Sequence, residues 1–347
     1  MRFYTDQHRY YCGIDLHART MYACVLDGSG EIVAQRNLRT DPAMFLEFLA
    51  PFRPDVVVAV ECIFTWYWLA DLCADEGISF VLGHALYMKA IHGGKAKNDR
   101  IDAHKIATLL RGGMLPRAYV YPREMRATRD LLRRRLYLTR LRGLLLAHIQ
   151  NTNHQYNLPP IPAKLHYPSN RVGFLARFED PSVHKNMEAD MTLIAGLERT
   201  IRDLELYIAR QAKRQQSDLF HRLRSIPGIG KILALTILYE VQDIRRFERV
   251  QEFASYCRLI RCAKESAGKR KGSSGKKIGN VHLKWAFSEA AALFLRANPA
   301  GQRYLAKLTK KHGKGKALSI LAHKIGRTAY YIMTHKRNFD MNKFLAA

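Results

Sequence analysis

Val57-Val58-Ala59-Val60 is an unbroken apolar run closed by Glu61. A strand that does not alternate apolar with polar must be covered on both faces, so it belongs in the middle of a sheet. A second apolar stretch, Tyr10-Tyr11-Cys12-Gly13-Ile14, is closed by Asp15 in the same manner. Residues 20–26 and 31–35 flank the turn Asp27-Gly28-Ser29-Gly30 and read as hairpin strands beside it.

Helices are predicted over 42–49 and 66–76, with a strand at 78–82 between them and a later helix at 99–110. The apolar face of that later helix is Ile101, Ile106, Leu109 and Leu110. The order β-β-β-α-β-α-β-α predicts an α/β unit, a mixed sheet carrying helices, as in the ribonuclease H fold. Residues 122–150 read as a basic helix. Pro159, Pro160, Pro162 and Pro168 break the chain before a second helix at 184–214. In that helix Leu193, Leu197, Ile201, Leu204 and Ile208 recur at threes and fours, close to a heptad seam. Two long helices joined by a loop predict an antiparallel coiled-coil stalk or a dimer element. Beyond them, a helix at 232–239, a loop rich in Gly, Ser and Lys at 264–280, and helices at 282–295 and 317–334 make a mostly α C-terminal part. The domains expected are 1–121, 122–215 and 216–347.

Lys and Arg number 57 against 30 Asp and Glu, a formal charge of +27 over 347 residues, spread along the chain. Nucleic acid is the partner that balance selects. No long uncharged apolar run and no signal peptide is found, which points away from a membrane and toward the cytoplasm. Six cysteines without a CxxC pair read as reduced core thiols.

Against this basic background four acids stand out. Asp15 and Glu61 close buried strands. Asp99 and Asp102, three apart, share one helix face. Taken singly, each reads more simply as an exposed strand end or a partner of the helix dipole. Taken together they predict a metal site for phosphodiester chemistry. Paired divalent ions about 4 Å apart activate an attacking oxygen and stabilise a leaving one. Mg²⁺ needs only a few carboxylates, the rest being water.

Three further features fit a polyanion. Pro227-Gly228-Ile229-Gly230-Lys231 resembles the turn of a helix-hairpin-helix module, where Gly228, Gly230 and Lys231 would meet phosphate; a plain capped turn is the simpler alternative. The loop holding Lys269, Arg270, Lys271, Lys276 and Lys277 could bind phosphate and carry a serine nucleophile, or be a solvated loop. Spacing does not separate Ser266 from Ser273 or Ser274. Arg133, Arg134 and Arg135 sit on the basic helix and fit phosphate tracking.

Gly13-Ile14-Asp15, Val60-Glu61, Lys97-Asn98-Asp99-Arg100-Ile101-Asp102-Ala103 and Ile226-Pro227-Gly228-Ile229-Gly230 occur in this order. Together they resemble the DEDD transposases of the insertion-sequence-110 family over nearly the whole chain. The resemblance implies a RuvC-like N-terminal domain, a coiled-coil middle and a C-terminal transposase domain. It implies Mg²⁺ at Asp15, Glu61, Asp99 and Asp102. It also implies a serine nucleophile at Ser266, matched through residues 253–260 and the Glu265-Ser266 pair, that links covalently to DNA. Donor and target DNA, a structured guide RNA, and a homodimer or tetramer in a prokaryotic, nucleoid-associated setting follow from the same likeness. The chain departs from the family after Glu61, where Cys62-Ile63-Phe64 replaces Ala-Thr-Gly.

Two other readings use the same residues. A RuvC-like, metal-dependent structure-specific nuclease would attack with water and leave no covalent link. A non-catalytic basic protein would bind nucleic acid without cutting it.

Overall fold

The structure, a computed structural model, describes residues 2–91, 98–213, 217–260, 262–274 and 278–346. They fall into two compact units, Met1–Glu124 and Met125–Ala347.

The first unit is built on β1 (Tyr10–Leu16), β2 (Thr20–Asp27), β3 (Ile32–Arg39), β4 (Val56–Glu61) and β5 (Ser79–Gly83), in the order β3-β2-β1-β4-β5. β1, β2 and β3 are antiparallel, while β4 runs parallel to both β1 and β5. The valine run of β4 is fully buried, as its pattern demands. Val58 and Val60 join Cys12 and Ile14 in a core beneath α1 (Pro42–Leu49) and α2 (Tyr67–Asp75). Val57, Ala59 and Tyr11 face the opposite core, with Ile106, Leu109 and Leu110 of α4 (Asp99–Arg111). The short α3 (Ala85–Ile91) has too few residues for an amphipathic pattern, and the sequence does not reveal it.

The second unit opens with two 33-residue helices, α5 (Arg123–Gln155, its first two residues in the first unit) and α6 (Pro181–Lys213). They run antiparallel: Arg135 pairs with Glu205, Arg142 with Glu198 and His148 with Asp190. Met187, Ile194, Ile201 and Ile208, seven apart, are buried on α6, as are Asp190 and Ala212. Leu193, expected in the seam, is 57% exposed. A spacing of threes and fours admits two frames, and the apolar loop residues Leu165, Phe174 and Phe178 draw Ile194 inward.

The C-terminal part holds α7 (Ser217–Arg224), α8 (Lys231–Val241), α9 (Val250–Tyr256), α10 (Val281–Phe294), α11 (Pro299–His312), α12 (Lys314–His335) and α13 (Met341–Ala346) around one apolar core. The stretch predicted as a loop is instead a hairpin, β6 (Cys262–Ser266) with β7 (Lys269–Ser274). Lys and Ser dominate it, so no apolar alternation announces it. No helix among the described residues is long and apolar enough to cross a membrane.

Candidate active site

Ile14 pairs with Val60 on parallel neighbours, so Asp15 and Glu61 leave the ladder at the same level. Side chains alternate along a strand. Ile14 and Val60 belong to one core, which puts Asp15 and Glu61 on the face covered by α4. That helix begins where Asn98 accepts the Ile101 N–H at 2.8 Å, placing Asp99 and Asp102 in its first turn. Both acids favour the positive end of the helix dipole.

Gly13 sets how closely α4 approaches. A Cβ added there would stand 2.3 Å from the Ala103 carbonyl oxygen and 2.3 Å from the Ala107 amide nitrogen. Ala103 and Ala107 are one helical turn apart and fully buried. A missing side chain on the strand and two small ones on the helix bring the helix start to the strand end.

The result joins Asp15 and Asp99 through a residue that the sequence reading missed. His17 Nε2 lies 3.4 Å from Asp15 Oδ2 and 3.5 Å from Asp99 Oδ1. One ligand atom from each of the three falls within 4.8 Å of the others. Glu61 and Asp102 stand outside that set, and Asp102 Oδ1 takes Lys105 Nζ at 3.4 Å. The signal for His17 was its place two residues after Asp15, just past the end of β1. The turn His17–Thr20 fixes it, with the His17 N–H bonded to the Thr20 carbonyl at 2.9 Å. Carboxylate oxygens suit Mg²⁺ and Mn²⁺, and an imidazole nitrogen suits transition ions, so the donor set fits a divalent metal.

Ser266 belongs to the second unit. It is exposed at the end of β6 and pairs with Lys269 across the turn Ala267-Gly268. Both turn residues have positive φ, 51° and 71°, the mirror-type turn that suits hairpin twist. Lys269 and Lys271 are exposed nearby. Lys276 and Lys277 lie outside the described residues, as do the side chains of Arg270, Ser273 and Ser274.

The root of the hairpin is pinned. The Asn280 N–H donates to the Tyr256 carbonyl at 2.6 Å, and Arg258 Nε donates to the Gly279 carbonyl at 2.9 Å. Asn280 Nδ2 reaches Glu240 Oε2 at 2.7 Å. Glu240 is buried on α8 and also accepts from Arg129 at 3.0 Å and Arg133 at 2.6 Å. Burial pushes its carboxyl up, but the Arg133 hydrogen bond and both guanidinium charges prevail and hold it down at about 2.

Arg133 therefore serves an internal ion pair, and Arg135 pairs with Glu205 at 2.6 Å. Only Arg134 of the three is exposed, over the Tyr137 ring. Gly228 has φ +86°, and an added Cβ would stand 2.5 Å from the Phe294 amide nitrogen. Packing on α10 accounts for that glycine without a phosphate. Gly230 faces open space as the N-cap of α8, with Lys231 exposed beside it.

Comparison with known proteins agrees with this layout. Residues 12–157 match the DEDD transposase model associated with IS110, which takes in Asp15, Glu61, Asp99 and Asp102. Residues 220–306 match the model described as transposase, IS116/IS110/IS902 family, which takes in Ser266. The chain is 24% identical over 339 residues to a transposase for insertion sequence element IS1111A from Coxiella burnetii, covering 94% of this chain and 90% of that protein.

Proposed function

The chain belongs to the IS116/IS110/IS902 family of transposases, enzymes that mobilise insertion elements, and from that membership we propose that it cuts and rejoins DNA through a serine–DNA link, assisted by a metal held on carboxylates. The observation that carries this reading is the convergence of Asp15 and Asp99, which come from a strand end and a helix start 84 residues apart in sequence. Asp15, Glu61, Asp99 and Asp102 would hold a divalent ion, Mg²⁺ being the one the family resemblance implies. When bound, it supplies positive charge against a scissile phosphate.

Ser266 is the proposed nucleophile. Its Oγ forms a bond to phosphorus while the bond from phosphorus to a deoxyribose oxygen breaks. The serine proton leaves, and the departing oxygen takes one up. One phosphoester bond replaces another, so rejoining needs no nucleotide. Lys269 and Lys271 flank the serine and would bind the phosphates beside it, with Arg270, Lys276 and Lys277. Arg134, Gly230 and Lys231 offer further phosphate contacts.

Donor and target DNA are the proposed partners, recognised with a structured RNA guide. The working form is a homodimer or tetramer, placed in the cytoplasm with the nucleoid. The domains would be 1–121, 122–215 and 216–347, with the helical pair of the second as a coiled-coil stalk or dimer element and the Pro227–Gly230 turn as a helix-hairpin-helix contact.

The test is to purify the full chain expressed with its native flanking DNA, sequence the nucleic acid that accompanies it, and seek a protein–DNA adduct on a denaturing gel. One discrete flank-encoded RNA and an adduct lost in Ser266→Ala and Asp15→Asn are expected. Cleavage without any adduct would favour the water-using nuclease. An adduct persisting in Ser266→Ala would place the nucleophile elsewhere.

A further inference from the structure

His17 lies outside the four-carboxylate set. We propose that it is a nitrogen ligand of the same metal site, and that the site prefers ions accepting both imidazole and carboxylate, Mn²⁺ being the probe of that class, over Mg²⁺. This rests on the reading of Asp15 and Asp99 as metal ligands.

Three observations support it. The first is spacing. Donors sharing one ion at about 2.1 Å stand roughly 3.0–3.4 Å apart at right or tetrahedral angles. The His17 nitrogen stands 3.4 and 3.5 Å from the two carboxylate oxygens, so it needs little movement to share an ion with them. The second is orientation. His17 follows the end of β1 directly, and its imidazole turns back to Asp15 of that strand, while Asp99 comes to both from the start of α4. The third is rigidity. The His17 N–H bonds to Thr20, and its carbonyl accepts the Thr40 hydroxyl at 3.0 Å, so strand and turn both hold the backbone.

The chemistry sets the preference. Mg²⁺ demands near-ideal oxygen coordination and gives up water reluctantly. Later divalent ions bind imidazole more tightly, following the usual order of affinity. A mixed nitrogen and oxygen set therefore moves the balance away from Mg²⁺. A simple ion pair of His17 with two carboxylates is the competing account, and it makes the opposite prediction about metal.

The experiment uses the full chain, stripped of metal and titrated with Mn²⁺. Electron paramagnetic resonance reads free Mn²⁺, Mg²⁺ serves as competitor, and spin-echo modulation reports directly coordinated ¹⁴N. Wild type, His17→Ala, His17→Gln and Asp15→Asn are compared, with far-UV circular dichroism to check folding. Wild type is expected to show ¹⁴N modulation. Both His17 variants should lose it and weaken Mn²⁺ by about tenfold while the Mg²⁺ constant moves about twofold or less. Unchanged Mn²⁺ affinity or persisting modulation in folded His17→Ala overturns the proposal. Loss of Mn²⁺ in Asp15→Asn alone would then leave the carboxylate site standing. Mn²⁺ binding that survives Asp15→Asn, or no binding by wild type, overturns the carboxylate site itself.

Discussion

Asn280 joins two tasks: its amide nitrogen donates to buried Glu240 at 2.7 Å, while its amide oxygen caps α10 by accepting from His282 and Leu283. The chain just before it is the root of the hairpin that carries Ser266. A carboxylate deep in the helical core thus fixes where an exposed hairpin is anchored.

Replacing Glu240 with Ala leaves two arginines facing an empty buried position. Removing one partner of a buried ion pair costs about 3–5 kcal/mol. Urea unfolding of the full chain should show that loss. Asn280→Ala should cost less, since it removes a neutral cap and one hydrogen bond.

Acid should weaken the same network in two steps. Burial pushes His282 down to about 4 from 6.5. The unfolded chain takes up that proton first, so stability falls as the pH drops from 6.5 toward 4. Glu240 is depressed from 4.5 to about 2, so its contribution is complete above 4.5 and lost as pH falls through 2. At ~1.4 kcal/mol per pH unit, the Glu240 step is on the order of 3 kcal/mol. Urea midpoints from pH 7 to 2.5 would trace it, and Glu240→Gln should flatten the lower step.

Gly13→Ala should force α4 off β1, because the added methyl meets backbone atoms that no rotamer change can clear. A cost of about 1–3 kcal/mol or more is expected from such overpacking. Mn²⁺ affinity should fall as well, through the separation of Asp15 from Asp99. A variant that folds and binds Mn²⁺ like wild type would contradict the role given to this close approach.

Arg133→Ala and Arg134→Ala should part company. The first removes one of the two guanidinium partners of Glu240 and lowers stability, by less than Glu240→Ala does because Arg129 and Asn280 remain on the carboxylate. The second should leave the unfolding midpoint in place, weaken binding to DNA or RNA, and reduce the salt slope by about one. Paired denaturation and salt-titration curves would check both.

Legibility in the sequence followed the physics of burial. β4 was plain because four apolar residues in a row admit one placement. The proximity of Asp15 to Asp99 was foreshadowed by acids at strand ends and a helix start. His17 was not, since an Asp-x-His spacing gains meaning only when another element arrives beside it. Arg133 and Arg134 are neighbours of one residue type with opposite fates, and only the position of Glu240 on another helix tells them apart. The β6–β7 hairpin stayed hidden because its positive-φ turn uses Ala267, where Asn or Gly is the usual sign.

The ladder along α5 and α6 has an arithmetic of its own. Arg135 with Glu205 and Arg142 with Glu198 step seven residues along each helix in opposite directions. Deleting a single residue from α5 would turn every later side chain by about 100° and set the rungs out of phase. Length can change only in matched blocks of about seven residues, one in each helix. Natural relatives and engineered versions of this protein should therefore differ in helix length by whole heptads, added or removed as a pair.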